Sequence, residues 1–476
     1  MRLDPLEITG RSSFSYGRQW RLHPAFWVAL AVATAMCLPN LIDPMIRHDD
    51  YPALLGRAED FWSKTLHEGR WLNYLWHLRK VLTPAWVNHA VYQICWVIFA
   101  SVLAIAAAPP GRHPLIAAPM AALIVVAPPA ALISLWFNTL LPGLALVAVY
   151  ALVVHHVSQR TARWLLPVFI LPTFMAYTTY PILLLALCLA RTGTRSLRDL
   201  AGLLCVFTIS FAAAILATYT LNWHVHGVFG IPLADWRNAS PAHDLGGLLH
   251  NLSAVRATFV DFATKISVGS HSLMVTHLVC FTGAITLLAR HARLELAYLG
   301  AGLLVGVALT ILQAAKLGVL VPTRALLFIW VFYALIMMRG AQILMRRDGP
   351  IRYLGLMVTI TLVVIYAGIN HVRYAQFHEW QAQTHKTAAH LATLPGPVHV
   401  QGSATRNTVG QSAGIQSDWA LYFRLFQLAG RDVVLCQEHN ADCNGAPGPS
   451  PRTDWHITQT AGKTWLVIPD TDAPNP

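Results

Sequence analysis

Apolar runs of roughly twenty residues recur along most of this chain, each long enough to cross about 30 Å of hydrocarbon as a helix. The run 86–108 is the clearest of them. In lipid, the backbone's polar groups are satisfied only within helices or closed barrels. A barrel would show alternating segments of about ten residues, and the sequence has none. Composition agrees, with 55% of the 476 residues hydrophobic and 12% charged. That is about half the charge of a typical soluble chain, too little to cover a water-facing surface of this size. The expected fold is therefore an all-α polytopic membrane protein.

Eleven spans are expected, at about 24–42, 86–108, 114–128, 131–154, 163–175, 177–190, 199–221, 272–289, 294–315, 322–338 and 353–370. The stretches 114–154 and 163–190 are each too long for one ordinary span. Each also carries prolines where a helix bends or stops (Pro128, Pro129, Pro172, Pro181), so each is divided. The first run is read as a retained anchor rather than a cleaved signal.

The net charge of +12 follows from sidedness. Sixteen arginines and no lysine fall in the segments assigned to one side: Arg2, Arg11, Arg18, Arg21, Arg112, Arg160, Arg163, Arg191, Arg195, Arg198, Arg290, Arg293, Arg339, Arg346, Arg347 and Arg352. This is the positive-inside pattern, and it places the N-terminus in the cytoplasm. It accounts for the basic surplus without nucleic acid. Residues 1–370 then form a transmembrane module, with outward segments at 43–85 and 222–271. Residues 371–476 form an outward, periplasmic tail. The tail's strand-like pieces (Val398–Gln401, Asp432–Cys436, Thr464–Ile468) and a helix near Asp418–Ala429 suggest a small α/β unit, with a Cys436–Cys443 disulfide expected on an oxidising side.

The first outward segment carries six acids and six bases, against the charge rule for that side. Ala53–Leu66 has helical apolar spacing (Leu54, Leu55, Ala58, Phe61, Trp62, Leu66) and is expected to lie flat in the membrane interface. That arrangement brings Asp49 and Asp50 to the membrane surface, within reach of a lipid-linked head group. A partly desolvated carboxylate there suits a general base; the alternative is that the pair caps the helix and neutralises Arg47. Lys316 and Arg324 flank a late, otherwise apolar outer turn and are candidate phosphate ligands; interfacial snorkelling is the other reading. Aromatic residues near the outer face (Trp136, Tyr177, Tyr180, Trp223, Trp236) suit stacking on sugar rings or an aromatic belt. His224 and His226 lack a second ligand pair, so no metal is assigned, although a divalent cation assisting a phosphate stays open.

The first span followed by "RHDDY" and a stretch ending "EGRWLNYLWH" resembles the bacterial glucosyltransferases of O-antigen conversion and, more broadly, the GT-C superfamily of membrane glycosyltransferases. The similarity covers about residues 24–110 at motif level, and the span pattern extends it to about residue 370. It implies a polyprenyl-phosphate-sugar donor, a glycan or lipid acceptor, an inner-membrane location and an acidic base in the first outer loop, here Asp49 or Asp50. It favours Arg324 for the phosphate, with Arg70 of "GRW" as a further candidate. His48, Tyr51, Trp71, Tyr180 and Trp236 are the candidate sugar and acceptor contacts. The tail has no matching motif.

No P-loop, dinucleotide fingerprint or nucleophile elbow is present. The expected activity is sugar transfer to a cell-envelope polysaccharide or lipid on the outer face. A lipid flippase or transporter is the alternative from another class; it would carry internal repeats and mid-membrane charge, and the spans show almost none. An oligosaccharide polymerase or ligase would place its key bases in a late outer loop instead.

Overall fold

A computed structural model describes residues 23–108, 113–193, 195–437, 443–447, 454–460 and 462–469. Arg2, Arg11, Arg18, Arg21 and Arg112 lie outside the described residues. The chain is a helical membrane protein, 74% helical with a small sheet. Among the described residues, seven helical segments are long and apolar enough to cross a membrane: Ala85–Ala107, Pro128–His156, Leu197–His226, His271–His291, Arg293–Leu317, Thr323–Leu344 and Pro350–Leu391. Shorter apolar helices, Pro24–Asn40, Ile116–Val125 and Tyr180–Arg191, pack among them. Each expected apolar run is helical, and both divided stretches do break, although Pro172 lies inside the helix Gln159–Ala176 and does not end it. One helix ends at Val125 and the next opens on Pro128; another ends at Ala176 before Tyr180–Arg191 begins. Proline suits a first turn because its missing N–H would have no helical partner there.

Side-chain hydrogen bonds gather the interhelical segments at two ends. At one end, Trp71 Nε1 donates to Asn222 Oδ1 (2.8 Å), Asn73 to the Ala176 carbonyl (2.9 Å), Asn251 to the Ala315 carbonyl (2.9 Å) and Asn370 to the Val126 carbonyl (2.9 Å). The three segments read as outward lie here. At the opposite end, Glu295 pairs with Arg195 (2.7 Å) and Arg339 (2.6 Å), and Asp199 pairs with Arg163. Arg163, Arg195 and Arg339 of the arginine set therefore lie together at that end of the helices. Of the cysteines in apolar runs, Cys37, Cys95 and Cys188 are buried, Cys280 is half-buried and Cys205 is exposed. Its helix, Leu197–His226, buries only one narrow stripe (Leu200, Leu203, Phe207, Ala214, Thr218, Asn222).

One expectation for the outer segments needs correction. Ala53–Leu66 is not one flat amphipathic helix. It breaks into Tyr51–Leu55, a 3-10 turn at Ala58–Phe61 and Trp62–Glu68, followed by Trp71–His77. Gly56 and Gly69 end two of these pieces in the left-handed region (φ 68° and 66°), which a Cβ disfavours. The apolar stripe turns into the protein instead: Ala53, Leu54, Ala58 and Phe61 are buried, and Phe61 stacks on His77 with ring centroids 4.1 Å apart. Segment 222–271 is largely helical. The preceding helix continues to His226, and Leu245–His250 and Leu252–Ser267 follow.

Beyond Ala375, the helix His378–Leu391 leads into a four-stranded sheet of β1 (Val398–Gln401), β2 (Val433–Leu435), β3 (His456–Thr460) and β4 (Lys463–Val467), in the order β2-β1-β4-β3. β1 lies parallel to β2 and β4, while β3 and β4 are antiparallel. Trp419–Ala429 supplies the expected helix, and Cys436 and Cys443 form the expected disulfide. This unit grips the first outer segment. Arg424 pairs with Asp43, Arg47 donates to the Gly414 carbonyl, Arg57 donates to the Tyr422 hydroxyl (3.2 Å), and Phe423 stacks on Tyr51 at 5.7 Å.

Candidate functional site

The two adjacent aspartates have opposite surroundings. Asp50 follows the extended Arg47 and sits in a 3-10 turn, fully buried. Its carboxylate accepts from the Asn138 backbone N–H (2.9 Å), Asn138 Nδ2 (3.0 Å) and the Thr139 N–H (2.5 Å). The two backbone N–H groups are orphan donors in the first turn of the helix Phe137–His156, where a negative charge also meets the positive end of the helix dipole. Burial pushes Asp50 up to about 7, against these donors, and Asp49 pushes it further in the same direction. Asp50 thus anchors a helix start, a capping role on a helix far away in sequence. The Asp49 side chain turns the other way, into a cavity.

The free space there is about 340 Å³, open solvent included. Four cations, Lys64, Arg70, Arg237 and Arg324, line it against two carboxylates, Asp49 and Glu68, a net of +2. Trp136, Tyr177 and Trp236 supply aromatic walls, and Ile133 and Leu140 the apolar floor. Asp49 accepts from Trp136 Nε1 (2.5 Å) and lies 3.4 Å from Lys64 Nζ. Arg324 lies over the Trp136 ring at 4.2 Å, with Arg47 at 5.8 Å from the same ring. Glu68, 7% exposed, pairs with Arg70 (2.6 Å), Lys64 (3.0 Å) and Arg237 (3.2 Å). Arg237 also lies 4.7 Å from the Trp236 ring.

The cations decide both carboxylates. Burial alone would raise Asp49, but Lys64, His48, Arg70 and the indole hydrogen bond outweigh it and hold the group at about 2. Glu68 is held at about 2 in the same way, burial being outweighed by Arg70, Lys64 and Arg237. Burial, reinforced by Lys64 and Arg47, depresses His48 despite Asp49. Arg47 falls to about 10 through burial and the nearby Arg324, and stays cationic at neutral pH.

The structure thus brings together Asp49, Arg70, Arg324 and Trp236, with Trp136 and Tyr177. It leaves the other candidates elsewhere. The Lys316 ammonium bonds to the Ala242 carbonyl, and Lys316 does not line the cavity. Tyr51 is buried against the C-terminal unit. Trp71 is held by Asn222 and packs edge-on to Trp62 at 5.9 Å. Tyr180 is buried with its hydroxyl 3.5 Å from that of Tyr92. His48 flanks the cavity through Asp49 without lining it, and Trp223 is exposed on the surface. Sequence reasoning missed Lys64, Glu68 and Arg237 as site residues; for Lys64 and Glu68 the available signal was the excess of charge in segment 43–85, which does not reach Arg237. Among the described residues no group of three His, Cys, Asp or Glu side chains is placed to hold a metal, and His226 is bonded to Thr65 Oγ1 at 2.8 Å. No family model and no curated protein matches this chain.

Proposed function

We propose that the protein is a glycosyltransferase of the bacterial inner membrane that moves a sugar from a polyprenyl phosphate to a glycan or lipid acceptor on the periplasmic face. In this reading the chain crosses the membrane eleven times, with the N-terminus cytoplasmic and the C-terminal unit periplasmic. The observation that carries it is the cavity itself, where two carboxylates, Asp49 and Glu68, face four cations beside the aromatic side chains Trp136, Tyr177 and Trp236. Cations so close to apolar helices are costly unless they meet an anion. Arginine gives a phosphate paired, charge-assisted hydrogen bonds, and the rings of Trp136, Tyr177 and Trp236 offer apolar faces to a sugar.

The reaction divides accordingly. An acceptor hydroxyl oxygen bonds to the anomeric carbon as the bond from that carbon to the phosphate oxygen breaks. The departing electron pair stays on the phosphate, where Arg324, Arg70, Lys64 and Arg237 stabilise the growing charge. Asp49 takes the hydroxyl proton. Lys64 and Arg70 hold Asp49 weakly basic; a donor phosphate shares the charge of both, and Asp49 becomes a stronger base once donor is bound.

The purified protein in nanodiscs, given a panel of polyprenyl-phosphate sugars and an envelope acceptor fraction, is expected to consume one donor. A protein that consumes none from a broad panel is not this enzyme. Arg324→Gln is expected to raise the donor KM by about 10- to 100-fold, the loss of one charge-assisted phosphate contact worth about 1.5–3 kcal/mol. An unchanged KM removes Arg324 from the phosphate site.

The pH profile is a separate check. Asp49 and Glu68 both sit below their ordinary carboxyl values of 3.8 and 4.5, so the stabilisation they give is complete above those values and is lost only as pH falls toward 2. kcat/KM, which reports the free enzyme, is therefore expected to stay level from about pH 6 down to about pH 4.5. An acid limb centred near pH 6 would assign the base to another group.

A further inference from the structure

Three of the four cavity cations share one partner. Lys64 and Glu68 lie on the helix Trp62–Glu68, Arg70 on the turn after it, and Arg237 on a separate outer segment, in the 3-10 turn Asp235–Arg237. All three reach the carboxylate of Glu68 within 3.2 Å. Positive charges gathered around one carboxylate repel one another, so this set needs a counter-ion. Glu68 is almost wholly enclosed, so solvent does little to screen it. Arg324 differs: it rests on the Trp136 ring, and among the described residues no carboxylate pairs with it.

A phosphate entering the cavity seeks the same N–H donors that Glu68 already occupies. Resting on the phosphate reading above, we infer that Glu68 is a resident counter-ion that competes with the donor phosphate for Lys64, Arg70 and Arg237. Its carboxylate keeps the three cations gathered and ties the turn Asp235–Arg237 to the helix Trp62–Glu68. When a phosphate arrives, the cations divide between the two anions. When the product leaves, Glu68 takes them back, so the doubly charged polyprenyl phosphate is released rather than trapped. Glu68 is a positioning residue in this account, touching neither the sugar nor the acceptor.

The competitor role has a sign that a purely structural role lacks. Neutralising Glu68 removes the competitor, so a phosphate should bind more tightly while turnover slows at product release. The test is calorimetric titration of the full-length protein in detergent with geranylgeranyl monophosphate, with geranylgeraniol as the uncharged control. Glu68→Gln is expected to bind the monophosphate about tenfold more tightly than wild type, with alcohol binding unchanged. In transfer assays it should lower both the donor KM and kcat. Monophosphate binding equal to or weaker than wild type overturns the competitor role and leaves the phosphate site standing. Absence of binding to wild type and variant alike overturns the phosphate reading and this inference with it. If Glu68→Gln does not fold, Glu68→Asp serves instead. Its shorter side chain cannot reach all three cations and is expected to tighten binding about threefold; no change overturns the proposal.

Discussion

Asp49→Asn is expected to lower kcat by about 10²- to 10⁴-fold, the usual contribution of a positioned general base, while donor binding survives. The amide keeps the size of the side chain and an oxygen to accept the Trp136 indole N–H, which lies 2.5 Å from the carboxylate in the wild type. It loses the ability to take a proton. It also removes the charge that Lys64 now faces at 3.4 Å, freeing that ammonium for the phosphate. Donor KM should therefore stay level or fall, and a steep rise in KM with kcat intact would make Asp49 a binding residue instead. The measurement is steady-state transfer with the donor varied, accompanied by direct titration of a polyprenyl monophosphate. These two numbers separate lost chemistry from lost binding.

Asp50→Ala is expected to act on folding. The substitution strands the N–H groups of Asn138 and Thr139 and the Asn138 amide in a fully buried place. At about 1–3 kcal/mol for each unsatisfied buried group, the loss is on the order of 3 kcal/mol or more. The readout is the unfolding temperature of the detergent-solubilised protein, with activity normalised to the folded fraction. A large drop in unfolding temperature with residual turnover far above that of Asp49→Asn is the predicted pattern. Full stability with abolished turnover would move the catalytic role from Asp49 to Asp50.

This separation of neighbours shows where sequence reading stops. Apolar periodicity and proline positions identified the helices because burying or exposing twenty residues to lipid is a local property. Pro128 and Pro181 mark helix starts because the first turn does not need their missing N–H, whereas Pro119, Pro142, Pro167 and Pro172 lie inside helices and show that proline alone does not set a break. Which of two adjacent aspartates faces a cavity depends on the start of a helix some ninety residues away, and nothing in "RHDDY" encodes Asn138 and Thr139. Glu68, Lys64 and Arg237 were invisible for a related reason. Charges in an outer segment read alike until folding sets Arg237 beside Glu68 at 3.2 Å. The stripe over Ala53–Leu66 looked lipid-facing because spacing says which residues share a face but not what covers it. The covering groups, including His77 on Phe61, are tertiary. Gly56 inside that stripe was the one local sign that the helix would stop. Lys316 illustrates the converse: proximity to Arg324 in sequence suggested a pair, yet its ammonium reaches back to the Ala242 carbonyl.

The most direct test of the central claim is the fate of the donor in proteoliposomes. A polyprenyl-phosphate sugar labelled in both the sugar and the phosphate is incorporated into the membrane, and an envelope acceptor fraction is added to the side that the C-terminal unit faces. The account predicts that sugar label passes to the acceptor, that phosphate label stays with the polyprenyl chain in equal amount, and that Asp49→Asn stops both. Movement of the doubly labelled donor to the other leaflet, with its sugar–phosphate bond intact, would contradict the account and make the protein a transporter.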